Sequence, residues 1–265
     1  MKTTGQASRE GGRERVTGRG RAAAADAAPR PPAHDRVYQV LRQRVLTGGF
    51  LPGRPVTLRG MAMQLGVGVM PVREAVRRLI AERALELQDN KRVCVPAMSM
   101  EKFGEITFAR TRLEAELAAR ARARIDAAAI GELAGIDERM ERARVAGDIE
   151  NYMRGDTEFH FAIYRRAQAP TLLALTESVW LQMSPFMRMA YGRLGTANLS
   201  NNHREISQAL RSGEGLPEAI AAEVTQGMRL AGDLAFGAQQ PGTAPAAPAK
   251  PARKARAPSR RATPR

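Results

Sequence analysis

The chain holds three histidines, His34, His160 and His203, and a single cysteine, Cys94. Asp156 and His160 stand four residues apart, so on a helix they share a face. A carboxylate oxygen and an imidazole nitrogen so placed can take one divalent ion between them, and His203, from a later helix, can add a third donor. The same spacing also serves an ordinary surface ion pair. A metal-dependent enzyme is a further use for the trio, but no Ser/His/Asp set, phosphate-binding glycine loop or convincing general base accompanies it. The lone cysteine allows no internal disulfide, which fits a reducing, cytoplasmic setting.

These side chains need helices to position them. From residue 98 onward the apolar spacing is helical, with helices expected at about 99–124, 126–146, 148–168, 170–194, 200–213 and 216–236. Asp126, Asp148 and Ser200 are candidate N-caps, and Gly147 and Gly213 candidate stops. The result is an all-α six-helix bundle over residues 98–238. Trp180, Met183, Phe186 and Met187 could line a pocket in it or fill its core.

The upstream segment, residues 34–97, reads differently. Val37, Val40, Leu41, Val45 and Leu46 recur at helical spacing and stop at Gly48-Gly49, before a Leu51-Pro52-Gly53 loop. Thr57 is a plausible cap for a short helix with Leu58, Met61, Ala62 and Leu65 inward. After a Gly66-Val67-Gly68 turn, Pro71 suits the first position of a third helix, which turns Val72, Ala75, Val76, Leu79 and Ile80 inward and keeps Arg73, Arg77 and Arg78 on other faces. Leu85–Leu87 and Val93–Val95 alternate like two strands around Asp89-Asn90-Lys91-Arg92. Three helices and a basic-tipped hairpin make a winged helix-turn-helix, so the fold class is mainly α. Such a unit inserts its third helix into the major groove N-terminus first, and its wing brings Lys91 and Arg92 to an adjacent groove or backbone.

Charge follows the same division. Residues 34–97 carry net +6, residues 98–238 net −2, and the terminal stretches 1–33 and 239–265 carry +4 and +7. A compact basic unit beside a near-neutral one points to a polyanion partner for the first, double-stranded DNA. The two terminal stretches, rich in Gly, Ala, Pro and Arg, cannot bury enough apolar surface to offset ordering and read as disordered basic tails. An architectural protein that coats DNA through those tails is the alternative function. No apolar run approaches the roughly 20 residues that span a bilayer. The first residues lack the apolar core of a secretory signal, so no membrane partner is expected.

Leu51-Pro52-Gly53, Leu65-Gly66-Val67, Pro71-Val72-Arg73-Glu74-Ala75-Val76 and the wing from Glu86 to Val95 together resemble the GntR family of transcriptional regulators. Arg110, Leu113-Glu114, Asp156-x-x-Phe159-His160 and His203-Arg204-x-Ile206-x-x-Ala209-Leu210 resemble, in order and spacing, the FCD class of effector domains within it. The resemblance spans about residues 35–236. It implies a homodimer on a palindromic operator, with Arg59 and Arg73 at DNA-contacting positions. Many members carry Ser-Arg-Thr before the proline; here Gly68, Val69 and Met70 stand there, so the arginine that often reads a guanine is missing. Met70 could instead touch a thymine methyl.

The resemblance further implies that Asp156, His160 and His203 hold a divalent metal. Glu223 aligns with the position of the family's last ligand, usually a histidine. Two carboxylates make the set harder and suit Zn, Ni or Mn-like ions with little discrimination. Arg110 matches a cavity-facing arginine that clamps the effector, commonly a small carboxylate; pairing with Glu114 four residues on is its other reading.

Overall fold

The structure is a computed structural model in which residues 32–199 and 203–237 are described. The N-terminal part comprises α1 (Ala33–Leu46), α2 (Leu58–Leu65), α3 (Val69–Ala81) and an antiparallel hairpin of β1 (Glu86–Leu87) and β2 (Val93–Cys94). Six helices follow: α4 (Met100–Ala121), α5 (Ala127–Ala146), α6 (Ile149–Arg165), α7 (Pro170–Leu194), α8 (His203–Ser212) and α9 (Leu216–Phe236). The described chain is thus mainly α, a winged helix-turn-helix followed by a helical bundle. Ser200 and the two basic tails, apart from Pro32 and Ala33, lie outside the described residues.

Local chemistry sets the boundaries. Thr57 Oγ1 accepts the Gly60 N–H at 3.0 Å and opens α2. Asp126 accepts the Ala129 N–H at 2.8 Å and Asp148 the Asn151 N–H at 3.0 Å, starting α5 and α6. Gly147 closes α5 in the left-handed region at φ 75°. Ser99, which the sequence reading passed over, caps α4 by accepting the Lys102 N–H. Pro71 is not the first residue of α3. Gly68 is the N-cap in extended conformation, and Pro71 is the third helical residue. The first turn of a helix has no internal acceptor for its N–H groups, so a proline there still costs no hydrogen bond.

In the core of the N-terminal part, α1 packs on α3, burying Leu41 and Val45 of one and Val72, Ala75 and Leu79 of the other. Val40 does not join this face and is 45% exposed. Val56 exchanges two 2.8 Å backbone bonds with Val93, adding a one-residue third rung to the hairpin. In the bundle, α4 lies against α9, α7 and α6, and α5 pairs with α6.

The two parts meet along α1 and α7. Arg42 pairs with Glu177 at 3.2 Å, and Ser178 Oγ donates to the Glu82 carbonyl at 3.2 Å. At the end of α1, Gly48 adopts φ 73°, and a β-carbon there would come within 2.2 Å of Arg188 Cγ. Only glycine serves both the backbone angle and this approach of α1 to α7.

Candidate metal centre and DNA-contacting face

Asp156 and His160 project from successive turns of α6, His203 opens α8, and Glu223 comes from α9. Ligand atoms of all four lie within 4.8 Å of one another. His160 Nε2 is 3.8 Å from Asp156 Oδ1 and 3.6 Å from Glu223 Oε2, and His203 Nε2 is 3.5 Å from Asp156 Oδ1. Tetrahedral bonds of about 2.1 Å would hold donors about 3.4 Å apart, so these three pairs are near the required separation and the widest pair in the group would have to close further around an ion. The histidines are buried at 1% and 2% exposure, which sets the cluster apart from a surface ion pair.

His203 supplies a direct test of fit. Asp137 Oδ1 faces its Nδ1 at 3.3 Å and Asp156 Oδ1 its Nε2 at 3.5 Å, yet neither ring nitrogen is aligned for a hydrogen bond. Each nitrogen thus has a carboxylate beside it in poor hydrogen-bond geometry, and a cation on Nε2 would give that atom and the Asp156 oxygen a common partner. The donor set of two imidazoles and two carboxylates fits a divalent ion on Nε2, with Asp137 orienting the ring from behind. Phe159 stacks on the His203 ring at 4.3 Å and helps fix its plane.

Burial pushes the His160 imidazole down to about 3, leaving it neutral and able to ligate. Burial also works against charge on His203, but the Asp137 and Asp156 carboxylates outweigh it and raise its pKa to about 9. Glu223 is pushed up to about 7 by burial and by Asp156. The metal-free cluster therefore carries its own cation, a proton on His203, which an incoming ion must displace.

Among the described residues, an inner and an outer cavity flank the cluster. The inner one, about 20 Å³, is lined by Arg110, Asp156, His160, Trp180 and Glu223, and on one side by Leu46 at the end of α1. It has room for about one water. The outer one, about 190 Å³, is lined by His203, Glu223, Tyr152, Tyr191, Arg144 and Asn198 among others. Of these two, Arg110 lines the inner cavity, where its Nε donates to Glu114 at 2.7 Å and its guanidinium lies 4.5 Å from the Trp180 ring centre. Trp180 and Met187 do line a cavity, Met183 is core, and Phe186 lines a separate pocket with Pro52 and Met98.

The remaining candidate residues lie on the N-terminal part. Met70 and Arg73 sit in the first turns of α3, Arg59 in α2, and Lys91 and Arg92 at the hairpin tip, where Lys91 takes φ 60°. All five are exposed, and none of the four cationic side chains has an ion pair or hydrogen bond among the described residues. Arg78 differs: it donates to Asp35 at 2.7 Å and lies 3.7 Å over the Tyr38 ring, so it staples α3 to α1.

Sequence reasoning missed Asp137 and Tyr164. Tyr164, four residues after His160 on α6, continues the Asp156–His160 face and was within reach of the same spacing argument; its hydroxyl is 3.0 Å from His160 Nδ1. Asp137 lies on a different helix, and no local pattern links it to His203. Among the described residues no helix is long and apolar enough to cross a membrane.

Residues 33–95 match the gntR family of bacterial regulatory proteins and residues 105–226 match the FCD domain. The Escherichia coli (strain K12) HTH-type transcriptional regulator McbR is 29% identical over 62% of this chain and 74% of its own. A probable D-xylose utilization operon transcriptional repressor from Paenarthrobacter nicotinovorans is also 29% identical, over 63% of this chain and 74% of its own. The solved structure of E. coli McbR/YncC superposes with a TM-score of 0.73 at 26% identity, covering 77% of this chain and 99% of that one. A putative GntR regulator from Rhodococcus sp. RHA1 shares the fold at TM-score 0.61 and 22% identity. With both segments matched in order, and with the helix-turn-helix and the helical bundle in place, the chain belongs to the GntR family of transcriptional regulators, with an FCD effector-binding domain.

Proposed function

We propose that the protein regulates transcription as a homodimer on a palindromic operator, and that a small carboxylate bound beside a divalent ion alters its hold on DNA. The Asp156, His160, His203 and Glu223 group, with both histidines buried and both carboxylates half-buried around them, is the observation that carries the sensing half of this reading. Zn, Ni or Mn-like ions suit the mixed donor set. The ion would act as a Lewis-acid anchor for a carboxylate. The outer cavity beside His203 and Glu223 offers the room, and Arg110 holds positive charge on the inner side. Arg59, Arg73, Lys91 and Arg92 supply unpaired cations to phosphates and bases, and Met70 an apolar contact to a base edge. Residues 34–97 form the reading head and residues 98–238 the sensing and dimerising part.

Elemental analysis of the full chain tests the metal. About one divalent ion per chain is expected, lost in His160→Ala. A wild-type protein with no ion after metal loading overturns the metal-dependent part of the reading. Selection on random duplex DNA at about 150 mM salt, where nonspecific phosphate binding is weakened, tests the operator. Enrichment of a short palindrome is expected, and indifference to sequence would favour coating of DNA through the tails.

A further inference from the structure

A hydrogen-bonded chain joins the cavity arginine to a metal-facing histidine through two fully buried residues, Glu114 and Tyr164. Arg110 Nε donates to Glu114 Oε1 at 2.7 Å, and Tyr164 OH donates to Glu114 Oε2 at 2.7 Å. The same Tyr164 oxygen lies 3.0 Å from His160 Nδ1. Glu114 and Tyr164 are both 0% exposed. A carboxylate survives at such depth only when its oxygens are paired, and here both are.

The chain fixes a proton. Tyr164 commits its hydrogen to Glu114, so the contact with His160 closes only if the imidazole donates from Nδ1. That leaves the lone pair on Nε2, the atom that faces Asp156 and Glu223. The other tautomer would set a nitrogen lone pair against the tyrosine oxygen at 3.0 Å, nearer than the Asp156 and Glu223 oxygens, at 3.8 and 3.6 Å, that the Nε2 lone pair faces in this one. At the far end, Arg110 is held on three sides, by Glu114, by Met228 Sδ at 3.5 Å from Nη1, and by the Trp180 ring.

We propose that Glu114 and Tyr164 are positioning residues that hold His160 in its Nδ1–H tautomer and tie it to Arg110, making the metal-facing nitrogen and the cavity cation one rigid unit. The consequence for metal affinity rests on the metal-centre reading above; the tautomer is a property of the metal-free chain and stands apart from it. A histidine whose second nitrogen is held by a hydrogen bond is a pre-oriented and more basic ligand, and loss of such a partner lowers metal affinity by about 10–100-fold.

The test uses the full-length chain and the variant Tyr164→Phe, which removes one oxygen and keeps the ring. Long-range proton–nitrogen NMR correlations of the metal-free protein report the tautomer of each of its three histidines, with His160→Gln identifying the signal. Zinc alone, titrated against a chromogenic chelator, reports affinity. The wild type is expected to show His160 as the Nδ1–H tautomer. Tyr164→Phe is expected to show mixed tautomers and a roughly 10–100-fold weaker zinc affinity. An Nε2–H or mixed His160 in the wild type overturns the proposal even if the variant fails to fold. So does a folded Tyr164→Phe whose tautomer and zinc affinity match the wild type. A wild type with the expected tautomer that binds no zinc supports the positioning role and overturns the metal reading instead.

Discussion

The reading head and the helical domain use the same kinds of charged residue in opposite ways. In the head, Arg59, Arg73, Lys91 and Arg92 are exposed and have no ion pair or side-chain hydrogen bond among the described residues. In the helical domain, Arg110, Glu114, His160 and His203 are 7%, 0%, 1% and 2% exposed, and each faces another ionisable group. A solvated cation costs the fold almost nothing and remains free for a phosphate. A buried one is kept only by partners in fixed positions, so its removal damages the fold as well as the site. The contrast teaches that one domain stores its chemistry as loose charge and the other as geometry.

The sharpest way to test this contrast is to delete one charge from each side. Glu114→Ala leaves Arg110 buried without its carboxylate and is expected to cost about 3–5 kcal/mol of stability in denaturant unfolding. A loss below about 1 kcal/mol would mean that the bundle lets water reach Arg110, and the contrast would fail. Arg73→Ala should leave the unfolding curve unchanged and weaken operator binding by about 1–3 kcal/mol in fluorescence anisotropy. Next comes the pH dependence of zinc binding. Between about pH 7 and 9 one proton leaves His203 as zinc enters, so affinity should rise about tenfold per pH unit; below 7 Glu223 adds a second proton and the slope steepens. Above 9 it should level off, and a flat profile from 7 to 9 would show that His203 is neutral in the metal-free chain. The smallest effect belongs to Arg78→Ala, which breaks an exposed pair and a cation–π contact and should cost about 0.5–1 kcal/mol of stability. Its operator affinity should fall far less than that of Arg73→Ala.

The same contrast explains what the sequence revealed. Thr57, Asp126, Asp148 and Gly147 were legible because a cap is written within four residues of the helix it closes. The unpaired cations of the head were legible because exposure asks nothing of distant residues. Asp156, His160 and His203 were visible as a possible trio through helical spacing, and Glu223 through family alignment alone. Asp137, on α5, was invisible, because its meeting with His203 depends on how α5 and α8 pack. The Val56–Val93 bridge was hidden for the same reason, with 36 residues between its two members. Pro71 was placed two positions early because every residue of a first turn tolerates a missing N–H, so the proline marks the turn and not its first residue.

Leu46 belongs to α1 of the reading head, yet it forms part of the wall of the inner cavity beside Arg110 and Asp156. At about 20 Å³ that cavity holds water and little else, so any larger guest is seated only if a wall moves. When the wall that moves is Leu46, occupancy of the cavity and orientation of the head share one thermodynamic cycle. Operator and guest then change each other's affinity by the same factor, typically about 5–150-fold. The chain would be as much a guest sensor that reports DNA as a DNA binder that reports its guest.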